Sequence, residues 1–243
     1  MNSLKSLLND KTSGSIELTF KLNQILQEAE NKQKIENILK DAEHHLYNFA
    51  TVLNYISNVK KFLLSNNIAG LKKYIDDFEK TLSDSNNKIF KNAKPYLSKC
   101  NSFLTLSNSY TILQVLKKLN TINKIEVFVC ESRPALEGKI LSGNLVESNV
   151  NAKVITDAEM SVFIPKVDAV ILGADKILPN GNVINKAGSF SAALISHYHN
   201  KPVYVLADKS KYFRNDKNEK DNSITKIYFE EVPAKLITKI ITD

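Results

Sequence analysis

VILGADKILPNGNVINKAG, residues 170–188, opens on a short apolar run that Gly173 ends at once. Val170, Ile171 and Leu172 suit a buried strand, and Asp175 falls where that strand would leave the core. Ten residues later stand Asn185 and Lys186, followed by Gly188 and Ser189 at the start of the helix-like run SFSAALISHYH. In an open α/β sheet, ligands sit outside the carboxyl ends of the strands. An acid placed there, facing an amide, an ammonium and a helix N-terminus, suits a polyhydroxylated, phosphorylated small molecule.

Outward from this stretch, β-branched runs alternate with helical spacing. Strands are expected over 103–106, 125–130, 153–156, 168–172, 202–207 and 224–229, and helices over 109–119, 134–148, 158–163, 189–199 and 233–241. That alternation argues βαβ units and a parallel sheet. The N-terminal part differs: residues 1–95 hold two glycines, one proline at the very end, and apolar residues at three- and four-residue steps. Helices are expected over 15–26, over 34–64 with room for one break, and over 68–94, where Lys94–Pro95 interrupts. Three such helices with short connections make a small bundle. The fold expected is therefore an α/β protein, with a helical domain over 1–95 and a parallel-sheet domain over 96–243.

Lys and Arg outnumber Asp and Glu by 33 to 26, a net charge of +7. Only Arg133 and Arg214 are arginines, and no basic run exceeds two residues, so solvated helix faces explain the excess better than a nucleic-acid footprint. The excess still suits anionic ligands. Cys100 and Cys130 do not make a disulfide framework. No apolar run approaches the ~20 residues of a membrane span, and MNSLKSLLNDK lacks the apolar core of a signal peptide. A cytoplasmic protein, with neither nucleic acid nor membrane as partner, is expected. His44, His45, His197 and His199 have no carboxylate or cysteine at ligand spacing, so no metal is expected.

Several segments resemble one family: 5-methylthioribose-1-phosphate isomerase, ribose-1,5-bisphosphate isomerase, and the alpha, beta and delta regulatory subunits of eukaryotic initiation factor 2B. Residues 173–189 are similar to its pattern GAD-x-(I/V)-x-x-NG-x-(I/V)-x-NK-x-G-(S/T). FLTLSNSYTILQVL (103–116), VFVCESRPALEGKIL (127–141) and FEEVPAKLITKIITD (229–243) resemble further segments in the same order, and KTSGSIEL (11–18) is a weak echo. The resemblance implies a Rossmann-like α/β domain preceded by a helical bundle. It also implies a homodimer formed through the α/β domain, or a hetero-oligomer of related subunits. No cofactor is implied.

The resemblance places Asp175 where the isomerases carry a general acid/base that shifts a proton between adjacent sugar carbons; the plainer alternative is a turn acid after a strand. Asn185 and Lys186 match substrate-contacting residues, against a helix N-cap followed by a solvent lysine. Ser107 stands where the isomerases carry a cysteine, and a serine hydroxyl without an adjacent base is a far weaker acid and nucleophile than a thiol. The initiation-factor subunits also show serine here. Arg133 either grips a phosphate bidentately or pairs with Glu131 or Asp157. Glu137 replaces the glutamine preferred by the isomerases, and its charge is unhelpful beside an anionic ligand. Ser13, Gly14 and Ser15 stand where the isomerases show Arg-Gly-Ala for phosphate; without the arginine, Gly14 and Ser15 still offer backbone N–H groups. In ADKSKYF (207–213), Asp208 and Lys211 belong to a loop that either lines the site or is a structural turn.

Together these features point to a non-catalytic, initiation-factor-2B-like regulatory protein that holds a phosphorylated sugar or nucleotide. The rival expectations are an aldose–ketose isomerase of a sugar 1-phosphate, resting on Asp175, Asn185 and Lys186, and a pure assembly module.

Overall fold

The computed structural model describes residues 3–213 and 228–243. The chain separates into two compact units, Met1–Ser85 and Asn86–Asp243.

The first unit is helical: α1 (Leu4–Leu8), α2 (Ser15–Gln27), α3 (Lys32–His45), α4 (Ala50–Leu64), α5 (Ile68–Asp76) and the beginning of α6 (Phe78–Leu97). The abundant small polar residues cap these helices: the Ser3, Asn31 and Asn67 side chains accept from the N–H groups of Ser6, Lys34 and Gly70. Each helix turns its apolar stripe inward, so that Leu18, Leu22, Leu39, Val52, Ile56 and Val59 form one core. The long periodic run over 34–64 breaks at 46–49, and the run over 68–94 breaks at Asp77. Pro95 does not interrupt as expected. It sits in the last turn of α6, which ends two residues later at Leu97.

The second unit alternates strand and helix: β1 (Ser102–Leu106), α7 (Tyr110–Ile122), β2 (Glu126–Cys130), α8 (Glu137–Glu147), β3 (Asn151–Ile155), α9 (Met160–Phe163), β4 (Ala169–Leu172), β5 (Lys176–Ile177), β6 (Val183–Lys186), α10 (Ser189–Tyr198), β7 (Val203–Leu206), β8 (Phe229–Val232) and β9 (Lys239–Ile241). Six strands form a parallel sheet in the order β3-β2-β1-β4-β7-β9. This is a doubly wound sheet whose direction of winding reverses between β1 and β4. Alternate residues of each central strand face opposite sides. Phe103, Ala169 and Ile171 join α7 and α8 in one core, while Leu104, Leu106, Val170 and Leu172 join α9 and α10 in the other. Buried on both faces, β4 and β7 are apolar throughout, as a central parallel strand must be.

Two expectations fail here. The closing helix over 233–241 is instead a short 3₁₀ turn, Ala234–Leu236, and then strand β9. Its apolar spacing fits either element, but Thr238 exchanges hydrogen bonds with the backbone of Val203, which feeds the β-branched Ile240 and Ile241 into the sheet beside β7. The helix expected over 134–148 begins only at Glu137, because 133–136 form a turn. Residues 224–227 of the strand expected over 224–229 lie outside the described residues; Phe229 opens β8.

Gly138 lets α8 start directly against the end of β2: a Cβ there would stand 1.8 Å from the Cys130 carbonyl oxygen, whereas a Cβ on Gly143 meets nothing within 4 Å. Gly138→Ala is therefore expected to lower stability severely. Gly143→Ala, in the same helix, should raise it by about 0.5–1 kcal/mol; urea unfolding of the two variants measures both. In the first unit, burial pushes the Asp10 carboxyl up, but the Lys21 ammonium and the N–H groups of Ser13 and Thr12 outweigh it and hold the group well below its usual 3.8. A lowered folded value means that the stabilisation is present above the unfolded value and is lost as pH falls toward the folded one. Asp10→Asn should thus be less stable than the parent at pH 7, the difference closing below pH 3.8 in an acid-unfolding series.

Candidate functional site

The candidate residues of the second unit gather at the carboxyl ends of the parallel strands, and hydrogen bonds stitch the loops there in sheet order. After β3, the Asp157 carboxylate accepts from two consecutive backbone N–H groups, those of Ser132 (2.9 Å) and Arg133 (2.8 Å). After β2, the Ser132 hydroxyl donates to the Cys130 carbonyl and accepts from the N–H of Ser107, at 2.7 Å, in the loop that follows β1. Ser107 and Ser132 both have left-handed backbones, φ 66° and 64°. A left-handed serine is strained, and these bonds hold the strain in place.

At the switch point the backbone leaves β4 through Gly173, where a Cβ would stand 3.3 Å from Ser109 Oγ and 3.7 Å from Asn185 Oδ1. Ser109 caps α7 through the N–H of Ile112. The 3.3 Å figure is tighter than ordinary contact, so glycine keeps the loops after β1 and β4 close.

The ten-residue gap between Asp175 and Asn185 is closed by a hairpin that the expected elements did not include. β5 and β6 pair antiparallel around the loop 178–182, with Gly181 at φ 83°, and Asp175 N–H donates to the Ile184 carbonyl at 2.8 Å. The signal was present: Asn-Gly between two apolar pairs, IL and VI, is a hairpin cue. Asn185 and Lys186 consequently lie on a strand, and the N-cap of α10 is Gly188. Both are buried, which excludes a solvent lysine. Asn185 donates to the Ser189 hydroxyl at 2.9 Å, and that hydroxyl donates to the Lys186 carbonyl.

Lys186 Nζ lies 2.5 Å from Glu137 Oε1, with side-chain exposures of 3% and 8%. Glu137 opens α8, where the helix dipole favours an acid, and its Oε2 is buried with no hydrogen-bond partner among the described residues. The Tyr228 ring covers the same ammonium, 5.0 Å from the ring centroid. Asp175, 14% exposed, faces Lys211 Nζ at 4.0 Å. Lys211 is buried and stands on a 3₁₀ turn, Lys209–Lys211, that Asp208 caps. Lys211 thus reaches a predicted site residue, while Asp208 holds the turn.

Three features serve the site less directly. The Arg133 guanidinium is 67% exposed and pairs with Glu131 at 3.0 Å. The N-terminus of α10 is met by an acid of the chain itself, Glu230, which accepts from the N–H of Phe190 at 2.7 Å. Ser13, Gly14 and Ser15 belong to the other unit. There Gly14 precedes α2, Ser15 begins it in a buried position, and the Ser13 hydroxyl accepts from Lys21. Both thiols sit above their usual range: burial, with Asp157 beside it, pushes Cys130 up to about 12, and burial with Asp168 raises Cys100. All four histidines are exposed.

Among known families, the initiation factor 2 subunit family matches residues 1–226. A putative translation initiation factor eIF-2B subunit 2-like protein of Pyrococcus abyssi is 25% identical over 231 residues, covering 90% of this chain and 84% of its own. Methylthioribose-1-phosphate isomerase 1 of Pseudothermotoga lettingae is 35% identical over 170 residues, 68% of this chain but 49% of its own length, so the chain spans about half of that relative. The crystal structure of the tetrameric eIF2B-beta2-delta2 complex from C. thermophilum superposes with a TM-score of 0.72 at 17% identity, covering 98% of this chain and 86% of that one.

The pair of Glu137 and Lys186 makes a sharp prediction. Removing one partner leaves a charge in a dry site, so Glu137→Leu and Lys186→Met should each cost about 3–5 kcal/mol. The double variant should recover most of that loss, because two apolar side chains of similar size replace the pair. Urea unfolding of the three proteins against the parent measures the coupling.

Proposed function

The chain belongs to the initiation factor 2 subunit family, and we propose that within it this protein is an initiation-factor-2B-like regulatory subunit that binds a phosphorylated sugar or nucleotide without turning it over. The ligand lies at the switch point between β1 and β4, its hydroxyls meeting Asp175, the Asn185 amide and Ser107. Arg133, exposed at the rim, is the group free to swing from Glu131 onto a phosphate.

One observation carries the proposal: the loop after β1, where the isomerase resemblance calls for a thiol, holds none. Ser107 stands at the position in question, and among the described residues no carboxylate, histidine or lysine hydrogen-bonds its hydroxyl. Cys130, on the neighbouring strand, is buried and pushed up to about 12. A group that must both take and give a proton works best when its pKa lies near the working pH. Binding groups are kept, while the proton shuttle is missing. We further propose that the protein works in the cytoplasm as a dimer or in an assembly with related subunits. No helix among the described residues is long and apolar enough to cross a membrane.

An isomerase of a sugar 1-phosphate is the second reading, favoured by a sheltered Asp175 facing Lys211. Two measurements separate them. Ligand at a hundredfold excess over its Kd stabilises the native state by about 2.7 kcal/mol, a rise in Tm of roughly 5–10 °C for a chain of this size. A panel of phosphorylated sugars and nucleotides should contain one compound that produces this rise in the parent and not in Asp175→Asn. Ribose 1,5-bisphosphate and methylthioribose 1-phosphate should give no ketose with the parent. Turnover lost in Asp175→Asn would establish the isomerase instead, and a large gain of turnover in Ser107→Cys would mean that only the thiol is absent.

A further inference from the structure

Charge at the Glu137 end of the site is already balanced within the protein. Lys186 is the innermost cation there, 3% exposed, yet its ammonium touches Glu137 Oε1 at 2.5 Å and lies under the Tyr228 ring. Away from it, Lys211 faces Asp175 rather than open space. A phosphoryl group approaching Lys186 would therefore meet a carboxylate as closely as an ammonium. In a water-poor site the repulsion from the one cancels the attraction of the other. The second carboxylate oxygen points the same way: Glu137 Oε2 is buried and, among the described residues, accepts no hydrogen bond. A buried acceptor in that state is satisfied by a donor, and a doubly ionised phosphate has none to give. A hydroxyl has one.

We infer that Glu137 is the specificity-determining residue at this end of the site: by neutralising Lys186 and keeping a buried acceptor, Oε2, in want of a donor, it excludes a phosphoryl group and selects a hydroxyl. The inference rests on the ligand site proposed above and assigns its polarity. The hydroxyl-bearing part of the ligand lies toward β6 and Glu137, and the phosphate lies outward, toward the exposed Arg133 at the rim.

Inorganic phosphate serves as the probe, with calorimetry and thermal unfolding of the parent, Glu137→Gln and Glu137→Ser at pH 7. With the acid removed, Lys186 becomes a buried ammonium in want of a counter-charge. Both variants should then bind phosphate about tenfold or more tightly than the parent, in line with a charge-assisted hydrogen bond. Their Tm should climb with phosphate concentration while the parent's stays flat. Variants that bind no tighter than the parent overturn the inference. So do variants that remain unfolded at every phosphate concentration, because an anion with access to Lys186 would restore the missing charge. Ribose 5-phosphate on the parent forms a separate arm. Absence of binding there counts against the ligand site itself, while the ratio of phosphate affinities still decides the role of Glu137.

Discussion

Two left-handed serines in successive loops are the constraint on which the site depends. Ser107 and Ser132 each hold a conformation that costs an L-residue about 1–2 kcal/mol, and neither would keep it alone. The Asp157 carboxylate fixes the Ser132 loop by two backbone bonds, and the Ser132 hydroxyl then fixes the Ser107 amide. Strain of this kind persists only where the surroundings over-determine it. Three adjacent parallel strands, β3, β2 and β1, supply that over-determination, since each loop starts from a strand end held in register with its neighbour.

From the other side of the switch point the geometry is set by a hairpin. β5 and β6 fold Asn185 and Lys186 back beside Asp175, and α8 brings Glu137 to the same place because Gly138 admits the helix against β2. Residues distant in the chain are joined by backbone devices of a few residues each: a glycine turn, a glycine contact, a serine cap. Side chains at such an edge can vary without disturbing the sheet, whose core lies on the strand faces behind them.

Much of this was legible in the sequence, and the unread parts share a cause. The apolar runs revealed every parallel strand except the last; β4 and β7 were plainest, because a strand buried on both faces must be apolar along its length. Asp175 was visible from its place after such a run. β9 was misread because the large aliphatic residues of 233–241, Leu236, Ile237, Ile240 and Ile241, fit a helix or a strand; tertiary pairing with β7, not local spacing, decides between them. The partnership of Glu137 with Lys186 was equally hidden. Each residue was singled out by itself, but only the hairpin and the tight start of α8 bring them together, and neither contact is local. Lys211 was recognised as part of a loop, yet its approach to Asp175 depends on the pairing of β4 with β7.

The buried pair is better understood as a filter than as a staple. Taking two charges out of water costs several kcal/mol for each ion, and their attraction returns that only when the geometry is good and the remaining lone pairs are satisfied. Here the distance is short, but one carboxylate oxygen has no donor among the described residues. Packing alone would be served as well by a leucine and a methionine, with no orphaned acceptor. Retaining an incompletely satisfied acid beside a neutralised lysine therefore makes physical sense where something else completes it. A hydroxyl does so at no net charge, and water-poor surroundings sharpen the preference, since an unsatisfied partner costs more there than in solvent.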